Sequence, residues 1–302
     1  MMGRGGLIGE RDSAYTTVRL RIPAGIVYSS QLSAIQDAAD RFGDGRIHLS
    51  TRQTLEIPHV RREKAQEVLD FLAQAGWYQQ DLSGNIRNVV ACPGTSSCPN
   101  ALIDAQALAL EIDSLLTECA DVPGKVKVGV SGCANGCGHS LLCDLGVVGR
   151  AEIAFDPSLC RRCHRCVREA CRTGALQVQG GSESVRLDPA LCEGCGLCVP
   201  ACHAGALAVN RVIWQVWVAG KLGRSPRFGL ELARLASPAA VLDLAGALLA
   251  LWKAKGQAGE RLGDFVRRLG LGGIRHALGL PSSGRLAAQP LPRNREATMR
   301  LA

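Results

Sequence analysis

The N-terminal part of the chain alternates between strand and helix patterns. Polar and apolar side chains first alternate with a period of two, and apolar residues then recur at helical spacing, with Ser30 as N-cap and Gly43 as the closing residue. The predicted elements are a strand over 16–23, a helix over 31–42, short strands over 46–50 and 53–57, and a helix that ends at Gly76. This β-α-β-β-α order predicts a small α+β sandwich.

The remainder of the chain predicts a second domain that is interrupted near its middle. The predicted elements are a strand over 88–91, a helix over 101–116, strands over 125–130 and 211–218, a helix from Pro238 to about 254 with Ser237 as N-cap, and a shorter helix over 264–269. Between 156 and 208 this pattern is lost, and Cys, Gly and Arg become frequent. Because an ordinary strand follows, we expect an insertion within the second domain.

Composition is typical of a globular protein with an unusual cysteine content. The 302 residues are 47% hydrophobic and 21% charged, and 14 of them are cysteine. The N-terminus lacks the apolar segment of a secretory signal, and no charge-free apolar run reaches the roughly 18 residues of a membrane span. We therefore expect a cytoplasmic protein with no membrane span, in which clustered cysteines bind metal rather than form disulfides.

The net charge of +8 is concentrated near the C-terminus. Residues 251–302 carry ten Lys and Arg against three Asp and Glu. The last part, 277–302, is rich in Pro, Ser and Arg without an apolar period, which predicts a flexible basic tail. Because the tail over 277–302 contains no aromatic residue, we expect it to be solvated and to have no nucleic-acid partner.

The insertion contains two nearly identical cysteine runs. Their spacings are Cys160-x2-Cys163-x2-Cys166-x4-Cys171 and Cys192-x2-Cys195-x2-Cys198-x3-Cys202. Such a pair is typical of a two-cluster ferredoxin, in which the fourth cysteine of each run ligates the other cluster. The predicted ligands of the two [4Fe-4S] clusters are therefore Cys160, Cys163, Cys166 and Cys202, and Cys171, Cys192, Cys195 and Cys198. Two structural zinc sites are the alternative, although zinc usually takes two separated ligand pairs.

A third set of cysteines lies outside the insertion. Cys92-x5-Cys98 and Cys133-x3-Cys137 fit neither a common zinc motif nor a ferredoxin run, and together they supply four thiolates. In this pattern the chain resembles the siroheme sulfite and nitrite reductase family. The resemblance implies that these four cysteines hold a third [4Fe-4S] cluster and that Cys137 is also the axial ligand of a siroheme.

Three basic motifs extend the resemblance. They are Thr51-Arg52-Gln53, Asn85-x-Arg87-Asn88 and Lys125-x-Lys127. The resemblance implies that the four catalytic cations, which face the siroheme and the oxyanion, are Arg52, Arg87, Lys125 and Lys127. It also implies siroheme contacts from Thr51, Arg52, Gln53, Asn135, Lys221 and Arg224. A glycine-rich surface turn is an equally good interpretation of the segment around Lys221. Arginine forks and lysine charges suit a site for a small anion.

The resemblance implies an α+β architecture of several parts. They are a ferredoxin-like half domain over 12–78, a siroheme and 4Fe-4S reductase domain over 79–155 and 209–276, an inserted bacterial-type dicluster ferredoxin module over 156–208, and the tail over 277–302. Within the family the arrangement is similar to small anaerobic sulfite reductase subunits and, more distantly, to dissimilatory ones. Because the half domain occurs once, a second chain, identical or related, is expected to complete the siroheme cavity.

The function that the resemblance implies is the six-electron reduction of sulfite to sulfide. Electrons are expected to enter from a subunit that contains a flavin or iron–sulfur clusters, and to pass through the two ferredoxin clusters to the siroheme-coupled cluster. Nitrite, which is also a small anion that takes six electrons, is an alternative substrate. A non-catalytic electron-transfer subunit is a third hypothesis.

Overall fold

A computed structural model describes residues 6–77, 85–119, 121–180 and 184–282. In the N-terminal domain the elements are β1 (Leu7–Gly9), β2 (Tyr15–Leu20), α1 (Ser29–Phe42), β3 (His48–Leu49), β4 (Leu55–Arg61) and α2 (Ala65–Gln74). The four strands form one antiparallel sheet in the order β1-β2-β4-β3. The predicted sandwich is present, and β1 extends it to residues before the predicted boundary at 12.

Local hydrogen bonds set the ends of α1. The helix begins one residue before the predicted cap, because the side-chain oxygen of Gln31 accepts a hydrogen bond from the backbone of Tyr28. Gly43 ends the helix as predicted, and its N–H donates to the carbonyl of Ala39. A Cβ at Gly43 would lie 2.8 Å from the carbonyl oxygen of Pro58, so this position requires glycine for the close approach of β4 to the helix.

The second domain is built around a five-stranded sheet in the order β11-β10-β7-β6-β5. Its elements and those of the insertion are β5 (Val90–Ala91), α3 (Ala105–Glu118), β6 (Val128–Ser131), β7 (Leu145–Phe155), β8 (Leu176–Val178), β9 (Val185–Leu187), α4 (Cys198–Ala201), β10 (Leu207–Val218), β11 (Leu230–Leu235), α5 (Pro238–Lys255) and α6 (Leu262–Ala277). β5, β6 and β7 are parallel, whereas β10 is antiparallel to both of its neighbours. The parallel strands therefore share their amino ends and their carboxyl ends.

Caps and a glycine determine where the helices of this domain begin and bend. The Oγ of Ser237 caps α5 as predicted, at 3.2 Å from the N–H of Ala240. α3 begins after Asp104, which caps the N–H of Ala107 at 2.9 Å. α6 continues beyond its predicted end through a kink at Gly270 (φ 73°). None of the helices among the described residues is long and apolar enough to cross a membrane.

The beginning of the predicted tail is part of the folded domain. Ala277 is the last residue of α6, and the side chain of Leu280 is only 7% exposed within the main hydrophobic core. The backbone N–H of Leu280 donates to the carbonyl of Arg275 at 2.8 Å. Residues 283–302, on which the rest of the tail prediction falls, lie outside the described residues.

The insertion lies at one end of the long pair formed by β7 and β10. These strands are paired from Leu145 and Val218 to Phe155 and Leu207, and the chain between them forms the separate hairpin β8-β9 and the short helix α4. The insertion has a small core of its own, which includes Leu176, Val185, Leu207 and two cysteines. It therefore begins at the carboxyl end of a parallel strand, the same end from which β5 and β6 lead to cysteines.

Candidate functional site

Cations lie together at the amino ends of β5 and β6. Ile86 pairs in parallel with Val126, and the N–H of Arg87 donates to the carbonyl of Val126 at 3.1 Å. This pairing places Arg87 next to Lys125 and Lys127 on adjacent segments of chain. We call the group formed by these three residues with Arg52 and Arg261 the cation cluster.

Arg52 reaches this group from the N-terminal domain. It lies in the turn between β3 and β4, and its carbonyl accepts a hydrogen bond from the side chain of Asn88 at 2.9 Å. Asn88 also accepts a hydrogen bond from the N–H of Ile22 at 2.8 Å. Because Asn88 directly follows Arg87, these bonds fix the turn that carries Arg52 against the strand that carries Arg87. The exposed Thr51 lies in the same turn.

The electrostatics of the cation cluster favour an anion. Burial lowers the pKa of Lys125, and Arg87, Arg261 and Arg52 lower it further. Burial and the guanidinium groups of Arg52 and Arg261 likewise lower the pKa of Lys127. Burial, followed by the charge of a neighbouring arginine, also lowers the pKa of Arg52. A bound anion would relieve this repulsion between like charges, so the cluster can hold a small oxyanion.

A buried carboxylate, which the sequence analysis did not identify, forms hydrogen bonds with two residues of the cation cluster. Asp144 directly precedes β7 and is fully buried. Its carboxylate accepts hydrogen bonds from the backbone N–H of Lys127 at 2.9 Å and of Gly263 at 3.1 Å, and from the guanidinium of Arg261 at 2.6 and 3.2 Å. A buried charge requires such partners. Asp144 therefore fixes the segment that carries Lys127 relative to Arg261, the fifth residue of the cation cluster.

Gln53 connects the two domains next to the first cysteine. Its side-chain nitrogen donates to the carbonyl of Ala91 at 2.6 Å, and its side-chain oxygen accepts from the N–H of Ala91 at 2.9 Å. The residue after Ala91 is Cys92. Gln53 has a φ of 56°, and a Cβ on Gly25 would lie 2.9 Å from its side chain. Its amide is thus used by the backbone that leads to the cysteine.

The opposite ends of β5 and β6 lead to the four cysteines outside the insertion. The N–H of Gly132 donates to the Sγ of Cys92 at 3.0 Å, and the side chain of Asn135 donates to the Sγ of Cys137 at 3.0 Å. Burial raises the pKa of Cys133, and the thiolates of the other three cysteines raise it further. These four thiols interact with one another, and two of them accept hydrogen bonds from N–H groups, as the ligands of iron–sulfur clusters do. We call Cys92, Cys98, Cys133 and Cys137 the inner quartet.

The eight cysteines of the insertion form two further groups. Burial raises the pKa of Cys166, as do Cys202, Cys160 and Cys163. Burial also raises the pKa of Cys198 to about 12, with contributions from Cys195, Cys192 and Cys171. Each group therefore takes three cysteines from one run and the fourth from the other. We call the group with Cys166 the outer quartet and the group with Cys198 the middle quartet.

The middle quartet lies beside the inner quartet. One cavity of about 430 Å³ is lined by all eight of their cysteines, Cys92, Cys98, Cys133, Cys137, Cys171, Cys192, Cys195 and Cys198. The second cysteine run is also bonded to the sheet, since the N–H of Ala151 donates to the carbonyl of Gly194 at 2.8 Å. A Cβ at Gly194 would lie 2.6 Å from the carbonyl oxygen of Ala151, so glycine allows this close packing.

The donor sets fit clusters better than single metal ions. Among the described residues, which include all twelve of these cysteines, no three His, Cys, Asp or Glu side chains are close enough to hold one metal ion. A zinc site would require four ligands within about 2.3 Å of one point. A cubane spreads its four thiolates more widely, and the all-thiolate sets match its chemistry.

Two predicted siroheme contacts lie in the turn between β10 and β11. Lys221 exchanges backbone hydrogen bonds with Arg227 at 2.8 and 2.9 Å, and Arg224 is exposed in the turn between them. Neither is among the described residues that line the cysteine cavity, and neither contributes to the pKa shifts of the two cluster lysines. Their role stays a prediction.

Comparisons with known proteins agree with this division of the chain. Residues 8–75 match the nitrite/sulfite reductase ferredoxin-like half domain, and residues 83–286 match the nitrite and sulphite reductase 4Fe-4S domain. The chain belongs to the nitrite and sulfite reductase family. The family resemblance inferred from the cysteine and basic motifs is therefore confirmed, together with the half domain and the 4Fe-4S domain of the predicted fold.

Relatives in this family differ in how much of their length the chain spans. An uncharacterised protein of Methanocaldococcus jannaschii is 32% identical over 90% of this chain and 93% of its own length. A subunit of the anaerobic sulfite reductase of Salmonella typhimurium is 32% identical over 54% of this chain, which spans only about half (52%) of that subunit. The crystal structure of dissimilatory sulfite reductase I has the same fold, with a TM-score of 0.69, 20% identity, and coverage of 93% of this chain and 72% of that one.

Proposed function

We propose that this family member is a siroheme-dependent reductase subunit that converts sulfite to sulfide and carries three [4Fe-4S] clusters. The observation that carries the proposal is the single cavity shared by the inner and middle quartets. Electron transfer requires short distances between redox centres, and a shared cavity brings two sets of ligands into contact. The name of the anaerobic sulfite reductase relative favours sulfite over nitrite.

The residues present fit the proposed cofactors. The inner, middle and outer quartets supply twelve thiolates, and Cys137, which is exposed, is proposed to bind the siroheme iron as well. When bound, the clusters would relay electrons from an external donor, and siroheme would supply the iron site for a six-electron reduction. N–H donors to Cys92 and Cys137 stabilise their thiolate forms and so favour metal binding.

The cation cluster is proposed to bind the substrate and supply protons. The planar guanidinium groups of Arg52 and Arg87 can each donate two hydrogen bonds to an oxyanion. Lys125 and Lys127 have lowered pKa values and therefore release a proton more readily than exposed lysines do. Each S–O bond that breaks requires protons at the departing oxygen, so cationic acids around the anion suit this chemistry.

We further propose that the site is completed by a second chain. The cation cluster lies at the amino ends of β5 and β6 and the inner quartet at their carboxyl ends, with an extended chain on the order of 15 Å long between them. None of the five cations lines the cysteine cavity. A cofactor held by both the thiolates and the cations would therefore lie between two copies, or between this chain and a related subunit.

The direct test is sulfite reduction by the anaerobically purified and cofactor-loaded chain with reduced methyl viologen as donor. We expect six viologen radicals to be oxidised for each sulfide formed, and a higher kcat/KM for sulfite than for nitrite. A higher kcat/KM for nitrite would assign the chain to nitrite reduction. If neither anion oxidises viologen although siroheme is bound, the chain is a non-catalytic electron-transfer subunit.

A further inference from the structure

We propose that exposed arginines around Cys163 form a docking surface for an acidic one-electron carrier protein. This arginine face consists of Arg161, Arg162, Arg165 and Arg168. The proposal rests on the proposed function, because it identifies the outer quartet as the place where electrons enter. Each encounter would move one electron from the reduced carrier to an oxidised cluster, and no atom or proton would be transferred.

The charge is specific to the first cysteine run. Residues 160–172 contain five arginines and one glutamate, whereas residues 192–203 contain no lysine or arginine and one acidic residue, Glu193. The two runs have nearly the same cysteine spacing, so the ferredoxin pattern itself does not require the arginines. The fifth arginine of the first run, Arg172, lines the cysteine cavity and is not part of the face.

The arginines of the face are exposed and mostly unpaired. Arg161, Arg162 and Arg168 have no ion pair with any residue that the structure describes. Arg165 pairs with Glu169 at 3.0 Å. Arginine side chains held in water without carboxylate partners leave a positive potential that a negatively charged protein can neutralise.

The backbone places a thiol of the outer quartet within this charge. Cys163 is exposed, whereas Cys198 of the middle quartet is buried. The residues on each side of Cys163, Arg162 and His164, have left-handed φ values of 53° and 58°. Such values in non-glycine residues cost on the order of 1 kcal/mol each and are kept where the local shape is needed.

A contact between the two runs strengthens the assignment. Arg165 of the face contacts the ring of His203, which directly follows Cys202, the ligand that the second run contributes to the outer quartet. The face therefore reaches the second run beside a ligand of the outer quartet. The second cysteine run is bonded to the sheet through Gly194, whereas the arginines of the face are exposed.

The composition of the insertion favours a protein partner over a nucleic acid. Residues 156–206 contain no Phe, Tyr or Trp, and single-stranded nucleic acids are usually bound by stacking on such side chains. Small electron-carrier proteins with an acidic surface match the face in charge. Electrostatic steering of such a carrier would raise its association rate, and the effect would fall steeply with ionic strength.

The test compares two triple variants of the loaded full chain. In R161E/R162E/R168E the net charge of the arginine face changes from positive to negative. The control R11E/R62E/R267E makes the same change in charge at exposed arginines of the half domain and of α6, which also have no ion pair among the described residues. The probe is an acidic plant-type [2Fe-2S] ferredoxin. Its Kd is measured by titration with the oxidised proteins, and its rate of electron transfer by stopped-flow bleaching of the clusters.

We expect the face variant to weaken ferredoxin binding and slow ferredoxin-driven bleaching by about 10- to 100-fold at low salt, with the difference shrinking at high salt. Reduction by methyl viologen, which is small and cationic, should stay within about twofold of the wild type for both variants. Ferredoxin binding that is insensitive to salt, an equal loss in the control variant, or tighter binding of a duplex DNA than of ferredoxin would each overturn the proposal. A wild-type chain that binds ferredoxin but reduces no sulfite would refute the proposed function alone.

Discussion

The two ends of β5 and β6 differ in chemistry although they belong to the same strands. At the amino ends, Lys127 and the other cations are held by the buried carboxylate of Asp144. At the carboxyl ends, Cys92 and Cys133 follow the strands and line a cavity together with other cysteines. A parallel pair can thus separate the proposed anion site from the proposed cluster site, because parallel strands bring like ends together.

The ends also differ in what holds them. The cation end depends on charge paired with charge within the second domain, through Asp144 and Arg261. The cysteine end depends on glycines and backbone N–H donors, since a Cβ at Gly132 would lie 3.0 Å from Gly94. Substitutions at one end are therefore expected to leave the chemistry of the other end intact, and the following predictions test this separation.

The largest effect is expected at the cysteine end, from Cys133→Ala. This change removes one of four proposed ligands of the inner quartet, so the purified protein should lose about one third of its cubane iron and sulfide and almost all sulfite reduction. Cys119→Ala, at a cysteine outside all three quartets, is the matched control. An unchanged iron content in Cys133→Ala would show that the inner quartet holds no cluster.

At the cation end, Asp144→Ala is expected to be strongly destabilising. It leaves Arg261 without its carboxylate and two backbone N–H groups without an acceptor, which should lower the free energy of unfolding by about 3–5 kcal/mol. Chemical denaturation measures this value. Glu152→Ala breaks the exposed pair with Arg211 and should cost no more than about 1 kcal/mol. Equal losses in the two variants would contradict the assigned role of Asp144.

The connection between the ends is tested by Gln53→Ala. Both polar atoms of this side chain bond to Ala91, so the change should cost about 1–3 kcal/mol of stability and loosen the chain that leads to Cys92. The conservative variant Gln53→Glu keeps the acceptor but not the donor and should be intermediate. Full stability of Gln53→Ala would show that the domains are joined by other contacts alone.

The smallest effect is expected in the pH dependence of anion binding. The lysines bind an anion when protonated, and burial together with neighbouring cations lowers their pKa values. The affinity for sulfate, used as a non-reducible anion, should therefore fall as pH rises, and the fall should begin at a lower pH than for an exposed lysine, with a slope of up to about tenfold per pH unit per lysine. Calorimetric titration measures it.

Lys127→Arg provides the control for this dependence, because a guanidinium stays charged across the measurable range. The fall in sulfate affinity should be shallower in this variant. A pH profile that is identical in the two proteins would remove Lys127 from the anion site.

Local sequence patterns predicted much of the fold. They did not predict buried strands without alternation or contacts between residues distant in the sequence. The alternation of β2 and the cap of α5 at Ser237 are local signals, and the structure has both. β7 was missed because residues 145–149 are buried on both faces and show no alternation. The four predicted cations lie in motifs near the cysteines, whereas Arg261 and Asp144 are 117 residues apart and meet only in the folded chain.

We propose that one reductase chain binds a siroheme and three [4Fe-4S] clusters, one in each cysteine quartet. The most direct measurement is the absorption spectrum of the anaerobically purified protein, with counts of iron and acid-labile sulfide. We expect about twelve cubane irons per chain, and siroheme bands that shift when sulfite is added. Iron–sulfur absorption without siroheme, even after reconstitution, would contradict the account.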